Sequence, residues 1–519
     1  MSAGNAAGAP QAPAMPDRPG AFGAALRRMG IDSGHTALLY VASDSAACTV
    51  HGFVTGSKAE VVAGESSVIA QVNVVTPGLL RAGEAALSEA AWARLGAPEG
   101  ASVHIAAAPP ARSFALVRSK IYGQALDRED ASAIVGEIAR GLYADIEIAS
   151  FITACAGQRL NVDEVAALTE GMVQAGSRLA WPRTPVADKH CVGGLPGNRT
   201  TLVVVPIVAA CGLLIPKTSS RAITSPAGTA DAMETLAPVT LGIAQMRRVV
   251  EREGGCIVWG GAVRLSPADD ILIRVARPLD FDGEASLVSS VLSKKIAAGS
   301  SHVLIDIPVG PSAKVRTPGA AAALARLFHS VAPMFGLTVR TVETDGRQPV
   351  GSGIGPALEA RDALAVLRRA PDAPADLRAR ALMLAGQVLE LGGKAAPGAG
   401  LAMARDVLDS GAACRKFEAI CEAQGGLRTP PVAAFRQELC AARAGRVVAI
   451  DNRRLARIAK LAGAPLEAAA GVLFQAPLGT TVSRGQPLLT VHAASPGALA
   501  RAMEYVRMHE DIVAIGEEA

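Results

Sequence analysis

The longest apolar run of the chain, Leu202 to Ile215, constrains the fold more than any other feature, because of what flanks it. It carries Pro206 and is too short to span a bilayer, which takes about 20 apolar residues; it suits a buried helix. Before it stands Asp188-Lys189-His190-Cys191-Val192-Gly193-Gly194-Leu195-Pro196-Gly197-Asn198-Arg199-Thr200-Thr201. After it stands Lys217-Thr218-Ser219-Ser220-Arg221-Ala222-Ile223-Thr224-Ser225-Pro226-Ala227-Gly228-Thr229. The whole reads as loop, buried helix, loop. Gly193, Gly194 and Gly197 let backbone N–H groups turn toward a ligand. Lys189, Arg199, Lys217 and Arg221 bring positive charge, and Thr200, Thr201, Ser219, Ser220 and Thr229 bring hydroxyl donors. Thr229 is placed to cap a helix running through Asp231 and Glu234, adding a partly positive helix end. One glycine pair after a polar stretch is by itself only a turn. Two such loops of matching chemistry, joined by one buried segment, point to a phosphate site.

The rest of the composition narrows the class. A chain of 519 residues has room for two to four domains. Only 3% of it is aromatic, so Ala, Val, Leu and Ile must fill the interior. The 51 basic and 47 acidic residues are well mixed, without the basic stripe that nucleic acid requires. Cysteines 48, 155, 191, 211, 256, 414, 421 and 440 are scattered, with no CxxC pair. Neither a zinc site nor a disulfide framework is expected, and the cysteine usage suits a reducing cytoplasm.

Taken in order, the chain divides into blocks of different periodicity. Residues 1–20, rich in Ala, Gly and Pro, read as a disordered leader. Residues 21–110 read as a small β-rich domain with strand-like runs at 37–41, 68–72 and 103–105. His35, His51 and His104 fall there without carboxylate or thiol company, which favours surface or packing roles over a metal. Residues 111–183 are helical: Asp127 caps a helix bearing Ile134, Ile138 and Leu142, and Asn161 with Glu164 forms a capping box for another bearing Val165, Leu168 and Met172. From 184 the pattern alternates strands and helices, with buried strands at 256–259 and 302–306, as in an α/β domain. It is interrupted by a segment at 266–297 and resumes over 298–426. Residues 427–519 form a last α+β unit, with strands at 446–450 and 487–491 around a helix at 453–461. The expected fold class is therefore multidomain α/β: small β-rich, all-helical, large α/β and C-terminal α+β.

The run Asp188-Lys189-His190 through Gly193-Gly194, then Ser219-Ser220-Arg221 and Gly228-Thr229, resembles the signature of the thymidine phosphorylase family. The similarity extends from about Arg118 to about Gly426 and is strongest to the long-chain branch that includes AMP phosphorylases. The segment Val482-Ser483-Arg484-Gly485-Gln486-Pro487 resembles the tail of the same family. The resemblance implies phosphorolysis of a nucleoside and makes 266–297 a crossover back to the helical domain. By resemblance, Lys189, Thr201, Ser219 and Thr229 bind phosphate, and His190 contacts base or sugar. Ser290 and Lys294, four apart and so on one helix face, match the base-binding pair. Arg277 lies near the base-binding arginine with a spacing that differs. The AMP phosphorylase branch implies as nucleotide-binding positions Gly194, Ser220 to Ser225 (Arg221, Thr224 and Ser225 among them), Thr229, Ser290 and Lys314. It makes Asp282 the proton donor, which has a chemical basis, since a purine leaves more easily once its ring nitrogen is protonated. Two departures stand out. Cys191 replaces a common Ser, and the loop at Leu195-Pro196-Gly197-Asn198 is one residue longer than in short-chain relatives.

The leading expectation is thymidine plus phosphate giving thymine plus 2-deoxy-α-D-ribose 1-phosphate. A nucleoside 5′-phosphate such as AMP, giving free base and ribose 1,5-bisphosphate, is the alternative. Inorganic phosphate is then a substrate, and no cofactor or metal is expected. Partners are expected to be small molecules, with neither nucleic acid nor membrane, and the resemblance implies a dimer or larger homo-oligomer. A phosphoribosyltransferase would need acidic groups for magnesium, for which Asp269-Asp270 is the only candidate pair. A non-catalytic scaffold is disfavoured by the joint presence of Lys189, His190, Ser219 and Thr229.

Overall fold

The computed structural model describes residues 21–157, 159–222, 225–279, 283–509 and 511–516. The leader at 1–20, Thr224 and Asp282 thus lie outside the described residues. The fold is multidomain α/β, and the chain separates into two compact units. One comprises the residues up to Ser119 with Ala133–Ser150; the other comprises Lys120–Ser132 and the residues from Phe151 on.

The β-rich expectation for the first unit is met by a closed barrel. Around it run Phe22–Arg28, Glu84–Leu87, Leu38–Ala42, Ser66–Val75, Lys58–Ala63 and Ser102–Ala107, and the last pairs back to the first. Alternate residues such as Leu39, Val61, Val72, Leu87, Val103 and Ile105 point inward and are buried, as the two-residue period of a strand requires. Closure leaves no sheet edge unpaired.

The second unit contains the α/β layer. Three parallel strands lie in the order Thr338–Asp345, His302–Val309, Ala187–Cys191. A parallel bridge between Val186 and Leu214 joins them to a second parallel pair, Ile215–Ser219 with Gly255–Trp259. Helices cover this sheet. The helix Thr200–Ala210 is apolar all round, and each residue from Thr200 to Ala209 is buried, as expected of a helix with no wet face. Each fully buried Val, Leu or Ile here contributes about 1.5–3 kcal/mol. Asn161 and Glu164 form the reciprocal capping box of Val162–Gln174, and Asp127 accepts from the Asp130 N–H at 2.8 Å. The helices Pro267–Ala276 and Glu284–Ala297 occupy the segment read as a crossover. After the helices Ala375–Leu391, Gly400–Asp409 and Ala412–Gln424, the chain ends in antiparallel sheets flanked by Asn452–Leu461 and Pro496–Met508.

Two local expectations need correction. The apolar run is not one helix: it ends at Ala210, turns at Gly212 (φ 79°), and re-enters the sheet at Ile215. Hydrophobicity marked burial correctly but could not separate buried helix from buried strand. Thr229 is also not the cap of its helix. Gly228 holds that position, and the Asp231 carboxylate takes the Gly228 N–H at 2.8 Å. Thr229 is the first helical residue, which leaves its hydroxyl for other work.

Candidate active site

The polar segments read as loops begin as strands. Asp188, Lys189 and His190 lie in Ala187–Cys191, and Lys217 to Ser219 lie at the end of Ile215–Ser219. Both strands run parallel, so both deliver their polar residues to the same, carboxyl-terminal edge of the sheet, where open α/β sheets bind ligands. The glycine turns follow directly. Gly193, Gly194 and Gly197 have φ of 90°, 81° and 70°, values that L side chains adopt only with strain. A side chain at 194 would also meet the Lys314 backbone nitrogen at 2.4 Å. Gly194 and Lys314, both expected to bind nucleotide, are thus brought together.

Beneath this edge lies a buried charge cluster. Asp188, 1% exposed, accepts from Lys217 Nζ at 3.1 Å and Lys295 Nζ at 2.7 Å. Ser300 reaches the same carboxylate at 3.4 Å. Burial drives the Asp188 carboxyl upward, but the two ammonium groups more than offset it and hold it below its ordinary range. Lys189, 2% exposed, donates to Thr200 Oγ1 at 2.7 Å and stands 3.7 Å from the buried Asp306 carboxylate. The hydroxyl that meets Lys189 is therefore that of Thr200, while Thr201 is buried one position further along the helix. His190 is half-buried. Burial first, then Lys295, Lys217, Lys294 and Lys189, hold its imidazole well below 6.5. It is therefore a neutral ring at pH 7, able to donate and accept one hydrogen bond each.

Arg199 ties the two loops together. Its guanidinium donates to the Gly197 carbonyl at 3.2 and 3.0 Å and to Thr229 Oγ1 at 2.9 Å, and it pairs with the buried Glu359. Lys189 thus meets Thr200 and Thr229 meets the adjacent Arg199, so the two turns converge on consecutive residues. Asn198 (φ 59°) donates its amide to Cys191 Sγ at 3.4 Å, so the thiol that stands in place of a hydroxyl is a hydrogen-bond partner within the loop. Burial raises that thiol to about 12, leaving it protonated.

The second loop is fastened by acids. Arg221 donates to Glu234 at 2.5 and 2.9 Å and to Asp231 at 3.2 Å, with its guanidinium carbon 4.9 Å above the Trp259 ring. Asp231 also accepts from the Ala222 N–H at 2.6 Å. Arg221, expected as a nucleotide contact, is thus anchored by the acids of its own loop and helix. Ser220 accepts the Ala230 N–H at 3.3 Å through its carbonyl, leaving an exposed side chain, and Ser225 Oγ donates to the Ala227 carbonyl at 2.8 Å. Ser219 is half-buried at the strand end.

Ser290 and Lys294 share a face of Glu284–Ala297, with Nζ 3.4 Å from Oγ. Lys294 pairs at 2.5 Å with Asp269, which is 1% exposed. Burial works against its charge, yet Asp269 holds the ammonium above its ordinary value. Of the Asp269-Asp270 pair, Asp269 thus carries a lysine. Among the described residues no cluster of three or more His, Cys, Asp or Glu side chains is arranged to hold a metal.

Sequence reasoning passed over Asp188, Lys295, Asp306 and Glu359 as working residues. Lys295 stands beside Lys294 on the same helix, but at the next position it faces inward and is buried. The three acids carried no signal, because each needs a partner supplied from a distant segment.

Comparison with known proteins agrees with this architecture. Residues 183–414 match the model of the glycosyl transferase family α/β domain, and residues 115–176 match that of its helical bundle domain. Residues 446–512 match the pyrimidine nucleoside phosphorylase C-terminal domain. A protein of Polaromonas sp. (strain JS666 / ATCC BAA-500) named "Putative thymidine phosphorylase" is 58% identical over 494 residues, covering 95% of this chain and 97% of that one. A relative of the same name from Hahella chejuensis is 54% identical over 494 residues, covering 95% and 98%. Among solved structures, anthranilate phosphoribosyltransferase from Thermus thermophilus superposes with a TM-score of 0.50 at 21% identity, covering 59% of this chain and 98% of that one, which shows a shared fold. Three matched domains in one chain, with relatives more than half identical along nearly its whole length, lead to one conclusion: this protein belongs to the thymidine phosphorylase family and is a pentosyltransferase.

Proposed function

We propose that the protein catalyses phosphorolysis of a nucleoside, with thymidine as the leading substrate: thymidine and phosphate give thymine and 2-deoxy-α-D-ribose 1-phosphate. The observation that carries this reading is the convergence of Lys189 and Thr229 on the consecutive residues Thr200 and Arg199. It brings the two turns together, which supports one anion site shared between them. Phosphate held there by Lys189, Thr229 and the Gly193-Gly194 backbone would stand ready to attack the anomeric carbon. Positioning and electrostatics then supply most of the catalysis. A neutral His190 hydrogen-bonds the base or sugar without adding a like charge to a site already rich in lysine. Ser290 and Lys294 form a donor pair suited to the carbonyl oxygens of a pyrimidine. Phosphate is a co-substrate, and the site as read asks for no metal or other cofactor.

A 5′-phosphorylated nucleoside such as AMP is the second reading. It is favoured by the tight approach of Gly194 to Lys314, which adds a lysine beside the glycine turn. Its products would be free base and ribose 1,5-bisphosphate, with Asp282 as proton donor. A phosphate-dependent base-release assay over matched nucleosides and 5′-nucleotides separates the two. Release from thymidine supports the first, and release confined to 5′-nucleotides discards it. We further propose a homodimer or larger assembly, testable by sedimentation. A cytoplasmic setting is supported by eight cysteines present as free thiols. Among the described residues no helix is long and apolar enough to cross a membrane.

A further inference from the structure

We propose that Arg199 is a positioning residue that sets the direction of the Thr229 hydroxyl and so tunes phosphate affinity; this rests on the phosphorolysis reading above.

The argument starts from donor counting. A guanidinium has only N–H donors, so in its 2.9 Å bond to Thr229 the hydroxyl oxygen must be the acceptor. The hydroxyl keeps its own proton, and that proton cannot point at Arg199. It is left to be donated elsewhere, and the neighbouring charge polarises it. Thr229 is thus kept as a donor, the role an anion requires.

Arg199 is also held too firmly to serve as a mobile phosphate ligand. Its Nε and Nη2 both reach the Gly197 carbonyl, and it pairs with the buried Glu359. Glu359 is in turn fixed at 2.9 Å by the Gly355 N–H, at the start of the helix Pro356–Arg368. One side chain therefore connects the first turn, the second turn and a third helix. A lysine could hold the charge but not three directions at once.

The test is a double-mutant cycle on the full-length enzyme, with phosphate and nucleoside KM measured separately. Arg199→Gln is expected to raise the phosphate KM about tenfold and leave the nucleoside KM unchanged. Thr229→Val is expected to raise it by at least as much. In the Thr229→Val background, Arg199→Gln should add less than about twofold, because the hydroxyl it directs is gone. Arg199→Lys should recover little of the loss. If Arg199→Gln fails to fold, Arg199→Lys with and without Thr229→Val completes the same cycle. Fully additive losses, or a rise confined to nucleoside KM, overturn the proposal while leaving phosphorolysis intact. A wild-type enzyme that releases no base from any nucleoside or nucleotide in phosphate removes both.

Discussion

The barrel and the α/β layer both carry ion pairs, but they place them in opposite environments. In the barrel unit, Arg28 meets Glu89 at 2.6 Å with side chains 53% and 32% exposed. In the α/β layer, Asp188, Lys217 and Lys295 meet with none more than 5% exposed. Water screens the first pair, which contributes little. The second has lost its hydration and persists only because every member has a partner. A cluster of that kind is costly to leave half-made, so the two regions should answer very differently to the loss of one charge.

The contrast can be broken most sharply at Asp188. Asp188→Asn strands two buried ammonium groups, and about 3–5 kcal/mol of stability should be lost in urea unfolding. A loss under about 1 kcal/mol would mean the cluster is not held as described. Lys189→Met should lower kcat/KM for phosphorolysis about 100- to 1000-fold by removing a charge from the anion site. Unchanged turnover would return Lys189 to a structural role. Ser290→Ala should raise the nucleoside KM several-fold, on the order of 1 kcal/mol for one hydrogen bond, without touching the phosphate KM. A phosphate effect there would unseat the base-side assignment.

A pH measurement sharpens the same comparison. Burial raises the Glu359 carboxyl to about 7, with Arg199 pulling the other way. Because the folded form holds its proton more tightly than the unfolded one, its contribution is complete below about 4.5 and declines as pH rises toward 7. Glu359→Gln should flatten that part of the stability profile; an identical slope would show that other groups produce it. The smallest effect belongs to the barrel: Arg28→Ala should leave the thermal unfolding midpoint almost unchanged, and a marked fall would show that exposure misjudged this pair.

Much of this was legible in the sequence, for reasons tied to range. Asn161 and Glu164 lie three residues apart, so their capping box could be read directly. The strands at 256–259 and 302–306 announced themselves through short apolar runs. Gly193 and Gly194 indicated a turn because few residues tolerate the positive φ it needs. What escaped depended on partners far along the chain. Barrel closure pairs Phe22–Arg28 with Ser102–Ala107, a register no local pattern contains. Asp188 found Lys295 more than a hundred residues away. Thr229 was misjudged as a cap because threonine favours that position, whereas Asp231 supplied the bond from inside the helix. Asp282 and Thr224 remain expectations from resemblance.

Among the described residues, three lysines, Lys189, Lys217 and Lys295, face two carboxylates, Asp188 and Asp306, at the sheet edge. The lysines outnumber the carboxylates by one in a poorly hydrated interior, and burial answers the excess by lowering the Lys295 ammonium to about 7. Any dianion that settles there relieves self-repulsion as well as reacting, so the folded state gains from its presence by mass action. Melting scans in phosphate buffer should run hotter than scans in an uncharged buffer of equal ionic strength, and preparations stripped of phosphate should age faster.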